Sequence, residues 1–139
     1  MTWARGQAER VRAKGLEFEP AVIGAVIDLG KCLDLLNSTY IDLVERSYAY
    51  LKQVREREGV PLPSNENLAG SADYLLRRLD CAVINFLHTI ANDQPFDSVR
   101  AAFVEGEPIY RNAGFRRGNH IQICVRNTAN IKGYFHPFE

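Results

Sequence analysis

The sequence predicts an α+β fold, a twisted and mostly antiparallel sheet of about four to five strands with two long helices packed against it. Four segments carry strand-type patterns, either alternation of apolar and polar residues or a short apolar run. Two longer segments repeat apolar residues at the helical period. The predicted strands are 22–29, 98–104, 119–126 and 131–135, and the predicted helices are 39–58 and 71–92. A length of 139 residues suits one domain with one sizeable core.

The N-terminal part predicts a short helix followed by a strand. Residues 3–14 carry apolar side chains at helical spacing among charged ones, and Gly15 is a suitable end for such a helix. Residues 22–29 are almost continuously apolar, which is typical of a strand that is covered on both faces.

Both long helices have recognisable ends. Asn37 and Ser38 are good N-cap residues for helix 39–58, and Gly59 ends it. Ser71 is the predicted cap of helix 71–92, whose broader apolar stripe predicts deeper burial. The segment between the helices has two prolines, polar residues and a glycine without periodicity, which predicts a loop.

The strand at residues 119–126 is the most informative segment of the chain. Its two alternating rows are Ile121, Ile123 and Val125 on one side, and His120, Gln122, Cys124 and Arg126 on the other. We expect Ile121 and Ile123 in the core, because alternation over this length predicts a strand with one buried face. The polar row has two interpretations: an ordinary hairpin with a half-polar face, or a strand that presents His120 and Gln122 to a ligand cleft.

The segment before this strand, residues 105–118, is predicted to be a loop rich in glycine and arginine. It contains Tyr110, Arg116 and Arg117. A loop of this composition between two strands can cradle an anion. The alternative interpretation is a solvated connection between the strands.

Charge and cysteine content exclude several functions. The chain has 17 basic and 17 acidic residues, so it has no long-range attraction for nucleic acid or for an anionic membrane. We expect no metal site, because the three cysteines are far apart and no CxxC pair occurs. Free thiols, a charged N-terminus unlike a signal peptide and the lack of a long apolar segment predict a soluble cytoplasmic protein.

The chain resembles a bacterial family in four stretches: AVIGAVIDLGKCLDLLNS, LLRRLDCAVINFLH, FDSVRAAFVEGEPIY and GFRRGNHIQICVRNTANIKGYF. Longer members of that family resemble the ADP-ribosyltransferase fold of poly-ADP-ribose polymerases and diphtheria toxin. In that fold a His and a Tyr hold NAD, and a residue of a third strand, often Glu, contacts the nicotinamide ribose.

The resemblance implies a set of site residues and a cofactor, NAD. Gln122 stands in the place of the catalytic Glu, with His120 beside it. Tyr110, Arg116 and Arg117 are implied to contact the cofactor. The amide of Gln122 cannot act as a base, although it can hydrogen-bond a ribose hydroxyl.

The resemblance also implies a shortened domain. The chain lacks the His-Gly-Thr and Gly-x-Tyr segments of the longer members, and residues 3–14 resemble the helix that follows those segments. We therefore expect residues 1–139 to form one domain without the N-terminal strands of the family. These departures imply a chain that is inactive in ADP-ribosyl transfer.

Two functions from different classes follow. The first is an NAD-binding, ADP-ribosyltransferase-like scaffold, and the second is a non-enzymatic module for protein interaction or self-association. We expect a homo-oligomer, because an uncovered sheet edge offers unpaired N–H and C=O groups and zero net charge provides little repulsion. The expected surfaces are strand 22–29 and the first helix around Trp3 and Val11. The alternative is a compact monomer in which that helix folds back over the sheet.

Overall fold

The computed structural model describes residues 8–9, 11–13, 15, 19, 21–67, 76–91 and 93–137, and its fold class is α+β, as predicted. The described helices are α1 (Ser38–Glu58) and α2 (Arg78–Ile90). The described strands are β1 (Gly24–Ile27), β2 (Cys32–Asp34), β3 (Asn65–Glu66), β4 (Leu76–Arg77), β5 (Ser98–Phe103), β6 (His120–Val125) and β7 (Ile131–Phe135). The chain forms two compact units, one of residues 29–127 and the other of residues 1–28 with 128–139.

The prediction of one sheet with four to five strands is wrong, because the described strands form three small sheets. In the larger unit, β5 is the central strand of a three-stranded sheet and pairs in parallel with β2 and antiparallel with β6. The predicted strand 22–29 corresponds to β1, which belongs to a different sheet. Gly30 adopts a left-handed φ of 55° just after that segment, so the chain turns before β2 begins.

Helix α1 is confirmed nearly as predicted, with both of its ends explained by local chemistry. The side chain of Asn37 accepts a hydrogen bond from the backbone N–H of Thr39 at 2.9 Å. Gly59 ends the helix in the left-handed conformation, with φ of 68°, which residues with a Cβ adopt at a cost. The buried side chains of Ser47 and Leu51 mark its inner face.

Helix α2 begins later than predicted, because residues 76–77 form β4 and pair with β3. Asn65, in β3, caps the helix from another segment of the chain. Its Oδ1 accepts hydrogen bonds from the backbone N–H of Leu79 at 2.9 Å and of Asp80 at 3.3 Å. Its Nδ2 donates to the carboxylate of Asp80 at 2.7 Å. The predicted cap, Ser71, lies outside the described residues.

The core of the larger unit lies between its sheet and its two helices. Its buried members are Leu33 from β2, Leu87 from α2, and Phe96 from the segment before β5. Partly buried apolar residues pack around them: Leu35, Tyr40, Leu43, Val44, Ile84 and Val99. His88 is also buried, and its Nδ1–H donates to the carbonyl of Ile84 at 2.7 Å. Among the described residues, its Nε2 has no hydrogen-bond partner.

The smaller unit contains an antiparallel ribbon of β1 and β7, with an irregularity between Val26 and Ile27. The prediction that strand 22–29 is covered on both faces is wrong, since Val26 is 56% exposed and Ile23 62% exposed. Of the predicted helix 3–14, residues 8, 9, 11 and 12 are helical, residue 13 is in a turn, and the others lie outside the described residues.

Candidate functional site

The register of the three-stranded sheet decides which row of β6 faces the helices. Val99 of β5 pairs with Cys124 of β6 and with Leu33 of β2. Paired residues on neighbouring strands project to the same side of a sheet. Leu33 is completely buried in the core that the helices cover. The polar row of β6 therefore lies on the side of the sheet that faces the helices, which we call the helix side.

The apolar row of β6 lies on the opposite side of the sheet, which we call the open side. Ile121 is 58% exposed and Ile123 is 41% exposed, so the prediction that they are core residues is wrong. Gln122 is exposed as well, although it lies on the helix side. The reason is the position of β6 at the edge of the sheet, where the buried core around Leu33 does not extend.

His120 and Gln122 form a hydrogen-bonded pair at the start of β6. The Nδ1 of His120 lies 2.5 Å from the carbonyl oxygen of Gly118, and because a carbonyl only accepts, Nδ1 carries the proton. The Nε2 of the neutral ring is then an acceptor, and Gln122 Nε2–H donates to it at 2.7 Å. This bond leaves the amide oxygen of Gln122 as an acceptor at an exposed position.

An aromatic and an arginine support this pair from the helix side. The ring of Phe103 is stacked on that of His120, with centroids 5.6 Å apart and an interplanar angle of 18°. The guanidinium carbon of Arg77 lies 4.5 Å from the Phe103 centroid, in cation–π geometry. Arg77 also forms ion pairs with Glu105 at 3.7 Å and with Asp80 at 3.9 Å. The start of α2 is therefore linked to the start of β6 through one aromatic ring.

Residues 105–118 form the predicted loop between β5 and β6, with one isolated bridge between Pro108 and Arg116, and we call this loop the hairpin arm. Backbone N–H groups donate across the arm from Gly118 to Glu105 at 3.0 Å, from Arg117 to Glu107 at 3.0 Å and from Ile109 to Phe115 at 3.1 Å. Gly118 suits its position because an added Cβ would lie 2.9 Å from the carbonyl oxygen of Glu105. The tip turns between Tyr110 and Ala113.

The arm carries the three residues that the resemblance assigns to the cofactor. Tyr110 is exposed at the tip, and Arg117 is exposed on the returning strand. Arg116 donates from Nη1 to the carbonyl of Gly106 at 2.9 Å, so its guanidinium holds the arm itself. No hydrogen bond or ring contact in the described chain joins these three residues to His120 or Gln122.

The open side of the sheet carries an ion pair that the sequence did not reveal. Arg100 of β5 donates from Nη2 and Nε to the carboxylate of Asp34 in β2, at 2.6 and 3.1 Å. The hydrogen bond from Arg100 is the main cause that holds the pKa of Asp34 below its usual value. The same contact raises the pKa of Arg100. Arg100 is directly paired with Ile123, so the ion pair lies next to the apolar row of β6 on this side.

A second polar group, around Asp97, ties three segments of the larger unit together. Its carboxylate accepts from the backbone N–H of Lys31 at 2.9 Å and from the side-chain amide of Asn127 at 3.0 Å. These hydrogen bonds lower the pKa of Asp97, and the bond from Asn127 contributes most. Its backbone carbonyl accepts from the N–H of Arg126 at 2.8 Å. We call this group the Asp97 junction.

A groove of about 440 Å³ lies beside the C-terminal end of α2. It is lined by Lys31, Leu43, Leu87, Ile90, Ala91, Asp93, Gln94 and Phe96. The ammonium of Lys31 already donates to the backbone carbonyl of Gln94 at 2.7 Å. None of the site residues predicted from the sequence lines this groove. Gln122, which was predicted to lie in a cleft, is not among the residues that line it.

Sequence reasoning found the His120–Gln122 pair but missed Arg77, Phe103 and Glu105. Phe103 and Glu105 belong to the same alternating row of the extended chain, which was a usable signal. The contact with Arg77 depends on where α2 begins, and that start is set by Asn65 from a distant segment. The pattern of residues around α2 could not predict this contact.

Comparison with known proteins gave no match to any family model, curated protein or solved structure. The family resemblance drawn from the sequence therefore stays an expectation. Within the described ranges, no three His, Cys, Asp or Glu side chains are grouped so that they could hold a metal ion. No helix among the described residues is long and apolar enough to cross a membrane.

Proposed function

We propose that this chain is a self-association module and that the outer edge of β6, with the apolar row that it carries on the open side, is the associating surface. The observation that carries the proposal is the exposure of Ile121 and Ile123 on a strand at the edge of the sheet. Single exposed apolar residues are ordinary, but a row of them along an unpaired edge favours pairing with another chain. Ala102, which is paired with Ile121, is exposed beside them and widens the apolar surface.

Two further properties support association. The chain carries 17 basic and 17 acidic residues, so two copies have no net repulsion at neutral pH. The hairpin arm adds exposed apolar side chains at Tyr110 and Phe115, the latter 65% exposed. All three cysteines are free, which suits a reducing compartment such as the cytoplasm.

The test is the mass of the purified chain in solution, measured by light scattering across a range of concentrations. We expect a species of twice 15.7 kDa that dissociates on dilution. Ile121→Lys and Ile123→Lys should each shift the equilibrium to the monomer, because they place a charge within the apolar row. Gln53→Lys is the matched control, since it adds the same charge at an exposed position of α1, away from β6. A single species of 15.7 kDa at every concentration would refute the proposal.

A second candidate function is an ADP-ribosyltransferase-like scaffold that binds NAD. The specific observation in its favour is the His120–Gln122 pair, whose exposed amide oxygen is a suitable acceptor for a ribose hydroxyl. The ring of Phe103 stacks on that of His120, and the guanidinium of Arg77 lies over the Phe103 ring. We propose no ADP-ribosyl transfer for this chain, because a carboxamide cannot take a proton from an acceptor group.

NAD titration followed by NMR tests this candidate. We expect shifts of the His120 ring and Gln122 amide resonances that saturate with NAD and are lost in Gln122→Ala. Cys124→Ala, in the same row, is the control that should leave them unchanged. Absence of any NAD-dependent shift would remove this candidate, and NAD hydrolysis that depends on Gln122 would contradict the expected inactivity.

A further inference from the structure

We infer that the partner is a second copy of this chain, joined edge to edge through antiparallel pairing of β6 with β6 of the second copy, with Ile123 at the centre of the pair. This inference rests on the proposed self-association and specifies which edge and which register it uses. It differs from the surfaces expected from the sequence, strand 22–29 and the first helix.

The hydrogen bonds around β6 show which of its backbone groups are directed to the outer edge. The N–H of Gly118 donates to Glu105 and the N–H of Arg126 donates to Asp97, both on the side of β5. In an antiparallel ladder, alternate residues exchange hydrogen bonds with a given neighbouring strand. His120, Gln122 and Cys124 fall in the same alternation as Gly118 and Arg126. The N–H and C=O groups of these three residues are therefore directed to β5, and those of the residues between them are directed to the outer edge.

The outward-directed residues are the apolar row, Ile121, Ile123 and Val125. No strand of the described chain hydrogen-bonds to this outer edge. A strand that adds to the edge must use the N–H and C=O groups of these three residues. If that strand is another β6, the hydrogen-bonded pairs join one apolar row to the other. Because paired residues share a side of the sheet, both apolar rows then lie on the open side of one continuous sheet.

Two-fold antiparallel pairing allows three neighbouring registers that satisfy the hydrogen bonds, centred on residue 122, 123 or 124. With the centre at Ile123, that residue lies opposite Ile123 of the second copy, and Ile121 lies opposite Val125 of the second copy. All three apolar residues of each chain are then matched with apolar partners. All of these pairs join β-branched side chains, and side chains that lie directly opposite on neighbouring strands interact.

The two other registers leave part of the apolar row unmatched. A centre at Gln122 places Val125 opposite Asn119 of the second copy, and a centre at Cys124 places Ile121 opposite Asn127. Each of them leaves one apolar residue of each copy opposite an asparagine and therefore has two apolar pairs, whereas the register centred on Ile123 has three. The register centred on Ile123 is therefore the best match, and it joins two three-stranded sheets into one sheet of six strands.

Disulfide trapping distinguishes the registers. In the inferred register, residue 122 of one copy directly faces residue 124 of the other in a non-hydrogen-bonded pair, with Cα atoms about 4.5 Å apart. A disulfide needs a Cα separation of about 4.4–6.8 Å. Residues 122 of the two copies are diagonal neighbours at about 7–8 Å, as are residues 124, so identical positions do not join.

Two full-length variants, each with one cysteine, are required, both in a Cys32→Ser and Cys81→Ser background. The first keeps Cys124, and the second carries Gln122→Cys with Cys124→Ser. One is labelled with ¹⁵N, and they are oxidised separately and as a mixture at a concentration where the dimer forms. We expect a disulfide-linked dimer only in the mixture, with mass spectrometry showing one labelled and one unlabelled chain. Ala102→Cys in the background Cys32→Ser, Cys81→Ser and Cys124→Ser, on β5, is the control that should join to neither variant.

Each other outcome overturns the register in a defined way. Linkage of the Cys124 variant with itself indicates a centre at residue 124, and linkage of the Gln122→Cys variant with itself indicates a centre at residue 122. A dimer by light scattering that no variant traps, and that Val26→Asp dissociates, locates the interface on strand 22–29 and leaves self-association intact. A monomer throughout refutes both proposals. Circular dichroism of each variant shows that the fold is retained.

Discussion

The two sides of the three-stranded sheet differ in a way that alternation alone does not reveal. On the helix side, Leu33 is fully buried, while the row of β6 on the same side is polar. On the open side, the row of β6 is apolar and exposed, next to the Asp34–Arg100 ion pair. The difference shows that alternation identifies which residues share one side of a strand, whereas the position of the helices decides which side is buried.

The largest expected effect comes from comparing the buried and exposed apolar residues directly. Leu33→Ala should lower the free energy of unfolding by about 2–5 kcal/mol, because it leaves a cavity in the core. Ile123→Ala should lower it by about 1 kcal/mol or less, because that side chain is substantially exposed in the monomer. Urea titration at concentrations below dimer formation measures both values. Equal losses at the two positions would mean that the helices cover the other side.

The helix side also predicts a pH dependence through His88. Burial lowers the pKa of His88 from its ordinary 6.5, so the unfolded chain binds a proton more readily than the folded one. The stability that neutral His88 contributes is therefore present above about pH 6.5 and is lost as the pH falls toward the lower pKa of the folded state.

Unfolding measured across this range should show a rise in stability with pH for the unaltered chain. His88→Leu should flatten that rise, because a leucine side chain does not titrate. An unchanged slope in His88→Leu would assign the pH dependence to another group.

The open side predicts a second effect, confined to stronger acid. The hydrogen bond from Arg100 lowers the pKa of Asp34 from its ordinary 3.8, so the pair stabilises the fold above that pH and this stability is lost below it. Asp34→Asn should reduce the loss of stability that occurs as the pH falls below 3.8. The effect should be small because the pair is partly exposed to solvent. Asp42→Asn, on the exposed surface of α1, is the control.

The smallest expected effect is at the His120–Gln122 pair. Gln122→Ala should change the free energy of unfolding by less than about 1 kcal/mol, because water replaces an exposed amide as a hydrogen-bond partner. The Nδ1-protonated tautomer of His120 should persist, since its bond to the carbonyl of Gly118 does not involve Gln122. ¹⁵N NMR of the imidazole identifies the tautomer, and a switch to Nε2 protonation would contradict this assignment.

The sequence predicted the elements whose determinants are local. Asn37 and Gly59 bound α1 through their own cap chemistry, and alternation located β5 and β6 to within two residues. It failed where distant residues decide. The start of α2 depends on Asn65, and the pairing of β2 with β5 depends on residues 66 positions apart.

The candidate site shows the same limit. Two neighbours in one row, His120 and Gln122, were predictable as a pair, since alternate residues of a strand project to the same side. Their support by Phe103 and Arg77 and the exposure of the opposite row were not. Both depend on how helices cover a sheet, and no periodicity within a single strand records that.

The Asp97 junction has a consequence for the order in which the chain assembles. Its bond to Asn127 closes a segment of 30 residues, whereas its bond to Lys31 closes one of 66 residues. The entropy lost on closing a loop grows with its length, and non-local contacts slow folding. The β5–β6 hairpin is therefore expected to form early and β2 to join late. Until it joins, one edge of β5 is unpaired, and the newly made chain passes through a stage in which the later central strand of the sheet is itself an edge strand.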